Sequence, residues 1–85
     1  MSTKKKLLDR LKSLPTDFEI DELDRLMKQF NCEKRTRGAT SGSAIAYVHT
    51  PTNRTLNAHS PHPKKYLKRY MMVDVLNFLR DVGEI

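Results

Sequence analysis

The spacing of the apolar residues changes at Cys32, and this change constrains the fold more than any other feature of the chain. Ahead of Cys32 the apolar residues recur every three or four positions, which is the period of an amphipathic helix. Between Ala44 and Thr50 they alternate, which indicates a strand, and helical spacing returns from Met71 to Gly83. The sequence therefore predicts helix first, sheet second and helix last.

Turn-forming residues divide this order into separate elements. Pro15 splits the first helical region into two helices, although one bent helix would fit equally well. The predicted strands are 32–37, 44–50 and 54–59, joined by the Gly- and Ser-rich segment 38–43 and by a tight turn. These lengths suit a three-stranded antiparallel meander.

Packing determines how these elements assemble. Helices that cover one face of a three-stranded antiparallel sheet form the simplest two-layer solution. We therefore expect an α+β fold of order α-β-β-β-α, with an N-terminal helix or helix pair, in a single domain over residues 1–85. Double-stranded RNA-binding domains share this layout (dsRBD-like), and it leaves the second sheet face free to meet a partner.

Positive charge is concentrated in the middle of the chain. Residues 31–70 carry eight Lys or Arg against a single acidic residue, Glu33, and the whole chain has a net charge of +6. A basic surface attracts polyanions, because each neutralised phosphate releases counterions. Nucleic acid is therefore the favoured partner, and the alternative is a basic surface that only keeps the chain in solution.

Two groups of cations are candidate phosphate contacts. Arg35 and Arg37 alternate along the first predicted strand, so they share one face. Lys64, Lys65, Lys68 and Arg69 crowd the entry to the last helix. If the two groups meet in space they form a phosphate-binding strip, and if they do not, each is a solvated run of charge.

The histidines are the candidates for acid–base chemistry. His59 and His62 are three residues apart, but a zinc site would need further ligands, and the lone Cys32 is remote in sequence. We therefore expect no metal and no cofactor, and assign these two histidines to RNA contact, proton donation or loop structure. His49 ends a strand and is expected to be structural. Cys32 is expected to be a half-buried apolar residue rather than a nucleophile.

The composition narrows the possible functions. Carboxylates are nearly absent from the basic half, which argues against paired-carboxylate chemistry and a Mg²⁺ site there. A metal-independent ribonuclease needs a group that takes the ribose 2′-OH proton and a cation near the scissile phosphate, and one histidine can supply the first. No apolar run has the length of a signal peptide or a membrane helix, so we expect a cytoplasmic protein without membrane contact.

Three segments in a fixed order give the chain a family resemblance that runs from about Leu7 to the C-terminus. They are the helix ahead of the first strand with Asp21–Leu23, Leu26, Met27 and Phe30, then Gly42, Ser43 and Tyr47, and then PHPKKYLKRY over Pro61–Tyr70. Together they resemble the HicA toxins of HicA–HicB toxin–antitoxin pairs. The resemblance implies a dsRBD-like fold, metal-independent endoribonuclease cleavage of mRNA, and neutralisation by a HicB-type antitoxin protein in a hetero-oligomeric complex.

One position departs from the family pattern. In the family the Gly–Ser pair is followed by the catalytic histidine, whereas here Ser43 is followed by Ala44, whose methyl group can neither take nor give a proton. The alanine is either an engineered replacement that disarms a toxic protein or a natural variant. We expect the fold and the binding of RNA and antitoxin to persist, with Ser43 as an RNA contact, and most cleavage to be lost.

Two other functions stay open. A non-enzymatic RNA-binding module would have the same charge and would protect RNA without cutting it. A DNA-binding repressor is disfavoured, because the last helix has few basic residues after Arg69 and makes a poor recognition helix. We therefore expect no DNA contact by the chain itself.

Overall fold

The computed structural model of the protein describes residues 3–36, 44–59 and 65–85. Its elements, in chain order, are α1 (Thr3–Lys12), α2 (Ile20–Gln29), β1 (Cys32–Thr36), β2 (Ala44–His49), β3 (Arg54–His59) and α3 (Arg69–Asp81). The strands form one antiparallel sheet with β2 in the centre. The predicted α+β order is confirmed, with a helix pair ahead of the sheet. Within the described ranges, no helix combines the length and the apolar composition needed to cross a membrane.

Local backbone chemistry sets the limits of the helices. α1 and α2 are separate, and between them Leu14 has a positive φ of 50°, which a continuous helix does not allow. At the start of α2 the Glu22 carboxylate accepts the backbone N–H of Glu19 at 3.1 Å. The helix ends before Asn31, whose φ is 63°, and α3 ends before Gly83, whose φ of 80° is one that glycine adopts freely. Both helix ends were predicted from the sequence.

Alternation along the strands divides the sheet into two faces. The inner face packs against the helices, and β2 presents there Ile45, Tyr47 and His49, which are at most 3% exposed. The second face is called the open face. It consists of Glu33 and Arg35 on β1, Ala44, Ala46 and Val48 on β2, and Thr55, Asn57 and His59 on β3. Most side chains of the open face are exposed, so the helices occupy one side of the sheet, as predicted.

One apolar cluster fills the space between the helices and the inner face. Its members with no exposed surface are Leu11, Phe18, Leu23, Leu26, Met27, Tyr47, Val75 and Leu79. They come from all three helices, from the segment before α2 and from β2. Burial of one such side chain contributes about 1.5–3 kcal/mol, so this cluster is what holds the two layers together.

Asp24 provides a polar link between α2 and the sheet. Its carboxylate accepts the Tyr47 hydroxyl at 2.6 Å and the Lys34 ammonium at 3.0 Å. Burial raises the pKa of the Tyr47 hydroxyl, and the neighbouring Asp24 carboxylate raises it further, so the hydroxyl stays a donor at neutral pH. One side chain on α2 thereby bonds to both the central strand β2 and the edge strand β1.

Replacement of Tyr47 by Phe tests this link. The Tyr47→Phe variant loses a partly buried hydrogen bond to a carboxylate, and we expect its free energy of unfolding in urea to fall by about 1–3 kcal/mol. Tyr66→Phe is the matched control, because Tyr66 is 39% exposed and loss of its hydroxyl should change stability by less than about 0.5 kcal/mol. Equal effects in the two variants would contradict a stabilising role for the Asp24 contact.

Candidate nucleic-acid interface

Ala44 and His59 face each other across adjacent strands at one end of the sheet. The register pairs the two residues, and both belong to the open face. Directly opposed residues of antiparallel strands have Cβ atoms about 4.5–5.5 Å apart. His59 is exposed and Ala44 is partly exposed. Ala44, which carries no acid–base group, is therefore directly opposite an imidazole that solvent can reach.

Arg35 extends this end of the open face onto the edge strand β1. It is paired with Ala46, which lies two residues along β2 from Ala44, so its side chain is on the same face. The guanidinium donates to the Glu33 carboxylate at 3.3 Å, and the two side chains are 63% and 62% exposed. An ion pair this exposed contributes little to stability, so a phosphate can take the place of Glu33 at small cost.

The floor of the open face is made of small side chains. Ala46 is only 5% exposed although it lies on this face, because Arg35 and Asn57 flank it on the neighbouring strands. The face thus presents a cation, an amide and an imidazole around small side chains, and Glu33 is its one carboxylate in the described strands. Such groups can contact phosphates and ribose hydroxyls, and they offer no carboxylate pair for hydrolysis.

The second group of predicted cations lies in the helix layer. Backbone hydrogen bonds tie the segment before α3 to the segment before α2, including one of 3.0 Å from the Ile20 N–H to the Lys65 carbonyl. The Lys65 ammonium pairs with Glu19 at 3.4 Å, and Lys68 is exposed where α3 begins. Since Arg35 is on the open face, these lysines and Arg35 belong to different layers. The described residues do not join them into one strip.

Four predicted RNA contacts lie outside the described residues, namely Arg37, Ser43, His62 and Lys64. Their roles stay predictions. That Arg35 and Arg37 share one face of the strand also stays a prediction. The predicted residues that the structure brings together are Arg35, Ala44 and His59, whereas Lys65 and Lys68 form a separate basic region.

His49 has the structural role that its position at a strand end predicted. Its ring is 2% exposed, with Nδ1 2.7 Å from the Thr52 hydroxyl and Nε2 2.7 Å from the Glu84 carboxylate. Asn31 donates to the same carboxylate at 3.1 Å. These hydrogen bonds, that of His49 above all, lower the pKa of Glu84. They fasten the segment after α3 to the β2–β3 turn, at the end of the sheet remote from Ala44.

Cys32 is more deeply buried than predicted, at 4% exposure, because β1 presents it to the inner face. Burial raises the pKa of its thiol to about 11, so the thiol is protonated at neutral pH and is no nucleophile, as expected. Across residues 3–36, 44–59 and 65–85, no three His, Cys, Asp or Glu side chains gather into a group that could hold a metal ion. His62 lies outside these ranges, so the predicted lack of a metal stays a prediction.

Sequence reasoning missed two polar members of the open face. Thr55 and Asn57 lie four and two residues before His59 on β3, and both are exposed. Because β3 was predicted with its observed bounds, counting back from His59 in steps of two would have placed them on the same face.

Comparison with known proteins gives no relative for this chain. No protein-family model, no curated protein and no solved structure matches it.

Acid should weaken the contact between Glu84 and His49. The pKa of Glu84 is lowered from an ordinary value of 4.5, so the carboxylate adds stability above that pH and loses it as the pH falls through the lowered pKa. We expect wild type to exceed Glu84→Gln in free energy of unfolding by about 1–2 kcal/mol at neutral pH, and the difference to shrink in acid.

Glu33→Gln is the control for this experiment, because it removes an exposed carboxylate from the open face. Its free energy of unfolding should follow that of the wild type across the same pH range. A difference between wild type and Glu84→Gln that is constant with pH would rule out the ionised contact as its source.

Proposed function

We propose that this chain is a HicA-type toxin domain that binds mRNA on the open face of its sheet. The observation that carries the proposal is the pairing of Ala44 with His59 on that face, which also carries Arg35 on β1. Position 44 is where the resemblance puts the catalytic histidine. In this fold that position is partly exposed, lies opposite an imidazole and shares its face of the sheet with a cation, which suits a phosphodiester substrate.

The chemistry proposed for this site is metal-independent endoribonuclease cleavage. A base at position 44 would take the proton of the ribose 2′-OH, and the 2′-oxygen would bond to the adjacent phosphorus as the bond to the 5′-oxygen breaks. The protonated base would give its proton to the leaving 5′-oxygen, and Arg35 would stabilise the charge that develops on the phosphate. Ala44 cannot perform the first step. The chain as it stands therefore binds RNA and has lost most of its cleavage activity. His59, opposite Ala44, would contact the RNA.

The proposed setting is a toxin–antitoxin pair in the cytoplasm. A HicB-type antitoxin with an acidic surface would block the toxin by pairing with its cations and excluding RNA. The concentration of positive charge in residues 31–70 supports this mode of neutralisation. Lys65 and Lys68 would add phosphate contacts outside the open face.

A second candidate is a non-enzymatic RNA-binding module, which the methyl group at Ala44 favours. The open face would then hold RNA through the same cation, amide and imidazole without transferring a proton. This candidate and the toxin differ in what happens when a histidine is placed at position 44.

Introduction of a histidine at position 44 separates the two candidates. In a metal-free cleavage assay, we expect Ala44→His to cut RNA about 10²–10⁴-fold faster than the unchanged chain, because it gains a general acid–base group. Induction of this variant should also arrest growth. Thr55→His is the matched control, since it puts an imidazole at an exposed position on the same face, remote from Ala44.

Three outcomes would change the assignment. RNA binding without cleavage in every variant would favour the non-enzymatic module. Cleavage by the unchanged chain at the rate of Ala44→His would make His59 or His62 the catalytic group. Equal cleavage by Thr55→His and Ala44→His would contradict a specific centre at position 44.

The salt dependence of RNA binding tests the role of Arg35. We expect Arg35→Gln to weaken the binding of single-stranded RNA and to reduce the slope of log K against log salt by about 0.7, the value for one phosphate contact. Arg80→Gln is the control, because Arg80 is exposed near the end of α3 and donates to Asn77 at 3.5 Å. Equal slope changes would indicate a general effect of net charge and contradict binding at the open face.

A further inference from the structure

Exposed apolar side chains are concentrated in the segment that leads into α3 and in its first turns. Among the described residues, the exposed large apolar side chains are Tyr66 (39%), Tyr70 (58%), Val73 (37%) and Ile85 (36%). Single exposed apolar residues are ordinary on protein surfaces, but three of these lie within residues 66–73. Two of the three are aromatic rings.

Rigid backbone carries both of these rings. Tyr66 forms a β-bridge with Glu19, flanked by the backbone hydrogen bond from the Leu67 N–H to the Phe18 carbonyl at 2.8 Å. Tyr70 is in the first turn of α3, and the next residue, Met71, is buried in the core. A ligand that stacked on these rings would therefore pay little to order the backbone.

Cations alternate with the tyrosines. The Lys65 ammonium lies 5.9 Å from the centroid of the Tyr66 ring, and Lys68 and Arg69 come between the two tyrosines in sequence and are exposed. No acidic residue occurs between positions 65 and 73, and Asp74 is the next carboxylate along the helix. Across the β-bridge, Glu19 is already paired with Lys65 at 3.4 Å.

Exposed rings set among cations suit one ligand better than others. Bases of single-stranded nucleic acid stack on aromatic side chains while nearby cations hold the phosphates. In a duplex the bases stack on each other and offer no free faces to a tyrosine. We propose that Tyr66 and Tyr70 form a stacking platform for unpaired bases of a single-stranded RNA. Lys65, Lys68 and Arg69 would contact the phosphates of the same strand.

This inference rests on the proposed function in taking RNA as the ligand, and it adds a second contact region. The platform belongs to the entry of α3 in the helix layer, whereas the proposed cleavage centre is on the open face. The two regions are built from different residues. Variants in one can therefore be tested without altering the other.

The tyrosines themselves report on the platform. The chain has no tryptophan and three tyrosines, and the third, Tyr47, is fully buried with its hydroxyl bonded to Asp24. A change in tyrosine emission on binding of unlabelled oligouridine therefore reports on Tyr66 and Tyr70. Fluorescein-labelled oligouridine gives the dissociation constant by anisotropy, and the same strand annealed to oligoadenylate is the duplex competitor.

Four variants of the full chain complete the experiment. We expect Tyr70→Ala and Tyr66→Ala each to weaken oligouridine binding roughly 5- to 100-fold, while Tyr70→Phe keeps its ring and binds within about twofold of the wild type. Ile85→Ala removes an exposed apolar side chain at the other end of α3 and should bind as the wild type does. The duplex should compete less well than the single strand. Circular dichroism establishes that each variant is folded.

The outcomes separate the platform from the proposed function. Tight oligouridine binding that neither alanine variant weakens would overturn the platform and leave RNA binding at the open face in place. Competition by duplex as strong as by single strand would also overturn it. Failure of the wild-type chain to bind either form would overturn both proposals.

Discussion

The helices cover the inner face of the sheet, and the architecture follows from the burial of the side chains that β2 presents there. Ile45 and Tyr47 are almost fully enclosed there, and the hydroxyl of Tyr47 donates to Asp24 on α2. A chain of 85 residues has apolar side chains enough for one such layer contact. The helices therefore gather on one side, and the opposite side of the sheet is left with small and polar side chains. The candidate interface exists because the core is one-sided.

Much of the fold could be predicted because its signals are local. The period of the apolar residues identified α2, β2 and α3, and turn-forming residues delimited β3. Asn31 and Gly83 marked helix ends through backbone conformations that favour them. The separation of α1 from α2 could not be decided in this way, because Pro15 permits both a kink and a break. In the structure the helices are separate, and Leu14 between them has a left-handed conformation. Leu14 also packs against the core, and no local signal in the sequence indicates that contact.

The candidate site was less predictable, because it depends on which residues face each other across strands. That Ala44 is opposite His59 follows from the register of β2 and β3, which single positions in a sequence do not reveal. The contact of His49 with Glu84 joins residues 35 apart in sequence and had no local signal. Charge clustering singled out Arg35 and Lys65 as candidates, but it carried no information about their placement in separate layers.

The contacts of His49 have a further consequence for how this protein can diversify. They secure one end of the sheet, where Asn31, Thr52 and Glu84 meet, while the proposed chemistry lies at the end that holds Ala44. Five residues of extended strand separate the two ends by roughly 16 Å, a distance at which effects of substitutions are usually additive. Substitutions near Ala44 can therefore accumulate without weakening the hydrogen bonds of His49 and Glu84 at the other end. A fold divided in this way can lose, regain or retarget an activity over evolutionary time while its scaffold is conserved.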